Sequence, residues 1–129
     1  MGYDFMLMQV PGAGKRTFPV PADALTDDDF ADGLSWEQFK HWLISRGGRE
    51  NGSPDSILVE YPSDQGSINY RGNPGFISMD VHADWDHVEE AFRWIQALEP
   101  ECVLADPQTG DYHDRESFRR FRTGAGNAS

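Results

Sequence analysis

The segment His82-Ala83-Asp84-Trp85-Asp86-His87 places four possible metal ligands within six residues. Imidazole nitrogen and carboxylate oxygen together suit zinc or iron. His82, Asp84, Asp86 and His87 are therefore the candidate ligands of a metal-dependent enzyme. The same residues also read as the start of a helix. Asp84 fits an N-cap, and Asp86 suits a first turn, where the helix dipole favours acids. On that reading His82 and His87 are polar surface groups.

The run resembles the HxHxDH metal motif of the metallo-β-lactamase superfamily, with Asp84 where the second histidine stands. The resemblance covers these six residues, and it implies a metal-dependent activity in a fold that needs a longer chain and further ligands.

Other reactive patterns fail on detail. Gly12-Ala13-Gly14-Lys15-Arg16-Thr17 has the look of a phosphate loop, but that pattern needs Gly where Gln9 stands and Ser or Thr where Arg16 stands. Pro19 and Pro21 also oppose the helix that would aim backbone N–H groups at a phosphate. Cys102, the single cysteine, lies in an apolar stretch that suits a buried, inert thiol and excludes an intrachain disulfide. No Ser occupies a G-x-S-x-G elbow. With 22 acidic residues in the chain, neighbouring carboxylates say little about acid–base catalysis. No cofactor is expected, and the chain reads as a binding domain rather than an enzyme.

The elements that hold these residues follow from periodicity and capping. Residues 3–10 form a nearly continuous apolar strand. Residues 11–34 follow as a long loop with three prolines and an acidic run, a length often functional or mobile. A first helix over 36–46 opens on Ser35 and Gln38 as a capping box, with Leu34 and Phe39 as a hydrophobic staple. Trp36, Phe39, Trp42 and Leu43 share one face, and Gly47 ends the helix. Strands follow at 57–61, 67–71 and 76–82. A second helix starts after Asp84 and stops before Pro100, with Trp85, Val88, Ala91, Phe92, Ile95 and Leu98 on its buried face. Residues 101–105 form a further strand, 111–113 a short return, and 114–122 a last helix with Phe118 and Phe121 inward. The plan is α+β, a ferredoxin-like βαββαβ two-layer sandwich with a C-terminal hairpin or short helix extension. Residues 1–122 are read as one domain and 123–129 as a flexible C-terminal tail.

At 129 residues the chain is too short for a (β/α)₈ barrel, which needs about 250. Eight Phe, four Tyr and four Trp supply enough apolar bulk for a core. No apolar run is long enough to span a membrane. The first ten residues lack the basic region of a secretory signal, and Met6 breaks the myristoylation pattern. A cytoplasmic location is the expectation.

The net charge is −11, which disfavours nucleic acid and anionic membranes and favours a basic protein partner. The charge is uneven. Residues 80–111 hold nine acids and one Arg, and 23–32 hold five acids and no base, whereas 112–129 hold four Arg and two acids. Trp94 lies off the buried face of the second helix, where an exposed Trp makes an interface anchor. The expected interface therefore comprises Asp27, Asp28, Asp29, Asp32, Asp86, Glu89, Glu90 and Trp94. Asp106-Pro107-Gln108-Thr109-Gly110 closes the last apolar strand. With this ending and its acidic βαββαβ plan, the chain resembles small uncharacterised bacterial proteins, some of which resemble immunity proteins of toxin systems. That resemblance implies stoichiometric inhibition of a partner rather than catalysis. The alternatives are a homodimeric ferredoxin-like domain with a small ligand, and the metal-dependent enzyme of residues 82–87.

Overall fold

Alternation of apolar and polar side chains along the strands sets the architecture. The computed structural model describes residues 2–31, 34–62 and 65–128. In chain order these form β1 (Tyr3–Gln9), β2 (Val20–Pro21), α1 (Trp36–Ser45), β3 (Arg49–Glu50), β4 (Ser56–Glu60), β5 (Gly66–Asn73), β6 (Phe76–Ala83), α2 (Trp85–Leu98), β7 (Cys102–Asp106), β8 (Asp111–His113) and α3 (Arg115–Ala128). The strands make one sheet, eight-stranded among the described residues, in the order β2-β8-β7-β1-β6-β5-β4-β3. Every adjacent pair is antiparallel.

This corrects the ferredoxin-like expectation. A βαββαβ sandwich has two strands between its helices; this chain has four between α1 and α2, of which β4, β5 and β6 form a continuous meander. Two further strands, β2 and β8, extend the opposite edge. One split unit does occur. β1 pairs with β6 on one side and β7 on the other, both antiparallel, so β6 and β7 run the same way and α2 crosses over β1 to join them.

Residues at alternate positions face the helices. In register these are Phe5 with Met79, Leu7 with Ile77 and Leu104, Ile68 with Val81, and Tyr70 with Ile57 and Met79. They bury together with Phe39 and Leu43 of α1, Val88, Ala91, Phe92 and Ile95 of α2, and Phe118 of α3. The buried Val, Leu, Ile, Phe and Met side chains each contribute about 1.5–3 kcal/mol by leaving water. All three helices therefore cover one face.

The long loop has its own structure. It makes three short 3₁₀ turns and the strand β2, and it buries Ala13, Phe18, Val20 and Leu25 with Val10 and Val103 in a second apolar cluster. Met8, Val103 and Tyr112 alternate with the residues of the main core along their strands, so this cluster lies on the other face of the sheet.

Local signals set the helix ends. α1 stops in a Schellman turn: Gly48 N–H donates to the Leu43 carbonyl at 2.8 Å, Gly47 N–H to that of Ile44 at 3.0 Å, and Gly47 adopts φ 92°. The capping box is absent, because the Ser35 hydroxyl donates to Glu99 Oε1 at 2.7 Å instead of serving its own helix. Asp84 caps α2 as expected, accepting from Asp86 N–H at 2.8 Å. α3 continues to Ala128, past the expected end at 122. Among the described residues, no helix is long and apolar enough to cross a membrane.

Candidate functional site

An open groove of about 500 Å³ runs between α1 and α2, lined by Glu37, Gln38, His41, Trp42, Trp94 and Leu98. The two helices pack antiparallel. Ser35 at the start of α1 bonds Glu99 just past the end of α2, while Arg46 beyond the end of α1 meets Glu90 in the first half of α2. Arg46 Nη2 donates to both Glu90 oxygens, at 2.7 and 2.8 Å, and the guanidinium lies 5.1 Å from the Trp42 ring centroid.

Aromatic rings carry the groove up from the core. Phe39 packs edge-on against the buried Tyr70 ring at 5.4 Å and contacts Trp42 at 5.7 Å and Trp94 at 5.8 Å. The two indoles then stack on each other at 5.0 Å with 18° between planes. Ile44 on α1 is 46% exposed and Leu98 on α2 is 41% exposed, and these are the large exposed hydrophobics among the described residues. The arrangement offers a rigid aromatic floor with an apolar rim and a single carboxylate, Glu37, in its lining. It can hold an apolar side chain and meet a neighbouring cation.

The expected acidic interface falls elsewhere. Asp86 Oδ1 lies 2.8 Å from Arg122 of α3, and the same guanidinium reaches Asp84 at 3.5 Å and Glu89 at 3.6 Å. Arg119 also approaches Glu89, at 3.4 Å. Asp84 and Asp86 thus meet a guanidinium of the C-terminal helix while their side chains stay largely exposed, and Glu90 pairs with Arg46. Asp28 is exposed on the long loop. Asp29 accepts from Thr26 N–H at 2.8 Å and from Arg16 at 3.1 Å, and the Thr26 bond foremost, with Arg16 adding to it, holds its carboxyl below the ordinary range. Asp32 and the side chain of Asp27 lie outside the described residues. Of the expected set, only Trp94 lines the groove.

The metal candidates are dispersed. His82 projects from β6 with Nε2 3.2 Å from Asp80. Asp84 is spent on its cap, and Asp86 faces Arg122. His87 stacks on Tyr61 at 3.6 Å and meets Gln65 Oε1 at 3.1 Å. Among the described residues, no three His, Cys, Asp or Glu side chains group as metal ligands. The glycine-lysine loop likewise offers its first N–H inward: Gly12 donates to Glu101 Oε2 at 2.6 Å. Cys102 is fully buried, and burial pushes its thiol far up.

Two polar pairs under α3 escaped the sequence reading. Tyr3 donates to the buried Asp106 at 2.7 Å, and Asp106 Oδ1 also accepts from Gln108 and Thr109 N–H. His113 is 2% exposed, its Nδ1 lies 3.0 Å from Ser117 Oγ, and its Nε2 has no hydrogen-bond partner among the described residues. The spacing His113-x-x-x-Ser117 across a helix start was the available signal. Trp42 was read as inward-facing, and no sequence signal pairs it with a residue 52 positions later. No protein-family model matches the chain, and no curated protein matches it.

Proposed function

We propose that this chain is a small protein-binding domain that acts by occupying a basic partner, with the α1–α2 groove as its anchor site. The observation that carries this reading is the coincidence of the stacked Trp42–Trp94 pair with exposed Leu98 in one groove. Binding energy concentrates on ordered aromatic anchors, and Trp is over-represented among them. Phe39, itself packed on Tyr70, contacts both indoles, so little side-chain freedom remains to be lost on docking.

The partner's charge follows from the whole chain. Internal ion pairs move charge about but leave the total at −11. Such a field steers a cationic surface and raises its encounter rate. Glu37 in the groove lining gives a cation flanking the apolar anchor a direct counter-charge. The resemblance to immunity proteins fits stoichiometric inhibition through this face.

The test has two steps. A protein captured on the wild-type chain is purified and titrated calorimetrically against wild type and Trp94→Ala. Loss of an anchor of this kind costs about 2 kcal/mol or more, roughly a 30-fold rise in Kd. Unchanged affinity in Trp94→Ala and Leu98→Ala alike, with both variants folded, removes the groove from the interface.

A further inference from the structure

We infer that α3 is a pH-released latch, pinned to the domain by the buried imidazole of His113 and unpinned when that imidazole takes up a proton. His113 stands on β8 opposite Leu104 of β7 and so faces the helical layer. Its hydrogen bond and ring contacts across the gap are with α3: the Ser117 hydroxyl at 3.0 Å, the Phe121 ring stacked at 5.1 Å and 24°, and the Phe118 ring at 6.1 Å. Ser117 Oγ also lies 3.3 Å from the Asp114 carbonyl. If its hydroxyl donates to that carbonyl, it accepts from His113 Nδ1–H; if it donates to Nδ1, the proton sits on Nε2. In both tautomers Nε2 is buried without a hydrogen-bond partner among the described residues. Protonation adds a charge and a second N–H to a side chain that is 2% exposed, with no acceptor in place for it.

The groups facing His113 act in both directions. Burial lowers its affinity for a proton, Asp106 of β7, Asp111 of β8 and Asp114 before α3 raise it, and Arg120 of α3 lowers it, for a net result below the ordinary value of 6.5. The Asp106 carboxylate already accepts from Tyr3 of β1 and two backbone N–H groups. On its far side α3 is held by Arg119 and Arg122 against Asp84, Asp86 and Glu89 of α2. An imidazole is the side chain whose ordinary charge change falls between about pH 5 and 8. The released state binds the proton more tightly than the docked one. Docking is therefore strongest above 6.5, weakens as pH falls through that value, and levels off below the depressed value of docked His113.

Hydrogen exchange of the whole chain, corrected for intrinsic rates, tests this at about pH 7.5 and about pH 5. Amides of 115–123 are expected to lose protection about tenfold for each pH unit by which docking depresses the His113 value, while α1 amides hold theirs. His113→Phe, which keeps a ring against Phe121 and cannot titrate, abolishes the dependence. NMR titration of the imidazole in the wild-type chain reads the same equilibrium without a variant, and its midpoint is expected below 6.5. Equal α3 protection at both pH values, the same loss in folded His113→Phe, or titration of His113 at or above 6.5 overturns the proposal.

Discussion

Arg122 closes on Asp86 at 2.8 Å, joining the most basic segment of the chain to its most acidic one. The uneven charge along the sequence is in part a folding device, because one guanidinium answers the cap and first turn of α2. Two of its three partners, Asp84 and Asp86, are largely solvated, so the contribution of those pairs is modest. Arg122→Gln should lower stability by about 0.5–1 kcal/mol in urea melts. Arg122→Glu, which sets a fourth acid beside three, should cost more and show a deficit that shrinks at high salt. Equal melts for wild type and Arg122→Glu at low salt would show the contact to be without consequence.

Gly72 on β5 is the floor on which the Trp36 indole rests. A Cβ there would stand 2.5–2.6 Å from three ring atoms, and Trp36 Nε1–H also donates to Asp55 at 3.0 Å. Gly72→Ala should displace the indole and cost about 1–3 kcal/mol, the range for inserting a methyl into a packed site. The same variant should shift the Trp36 indole N–H resonance. A stability within a few tenths of wild type would mean that the ring moves aside freely.

Where the sequence allowed a reading, the reason was a local rule. α2 is a 14-residue helix with its cap, apolar stripe and Pro stop inside its own segment, and it folds at the expected residues. The β4–β6 meander is visible as three strand-like runs at 57–61, 67–71 and 76–82, one more than a βαββαβ plan holds between its helices. β2 and β3 are two residues each and carry no periodicity at all. Ser35 lost its expected cap to Glu99, 64 residues away, a competition no local pattern encodes. The groove was half legible: Trp94 stood out by its helical position, but its stacking partner depends on how α1 lies against α2.

Phe39 and Trp94 touch at 5.8 Å yet should behave oppositely when truncated. Phe39 is fully buried under the groove, and Phe39→Ala should cost about 3–5 kcal/mol of stability. Trp94 is only partly buried, so Trp94→Ala should cost less stability and chiefly affect partner binding. Denaturant melts beside calorimetric titration separate the two effects. If Trp94→Ala destabilises as much as Phe39→Ala, the indole is a core residue and not an anchor.

His82 and His87 lie on different elements and have separate partners, Asp80 for one and Tyr61 with Gln65 for the other. A metal site needs its donors within about 2.0–2.2 Å of one point. Zinc added to the purified chain should therefore leave the melting temperature unchanged, and His82→Ala with His87→Ala should not alter metal content. The dispersal of these side chains makes the expectation specific. One equivalent of zinc retained through gel filtration by wild type, and lost in both variants, would require the 82–87 segment to rearrange around the ion. It would also return a metal-dependent reaction to consideration, since Asp84 would then have to leave its cap on Asp86 N–H.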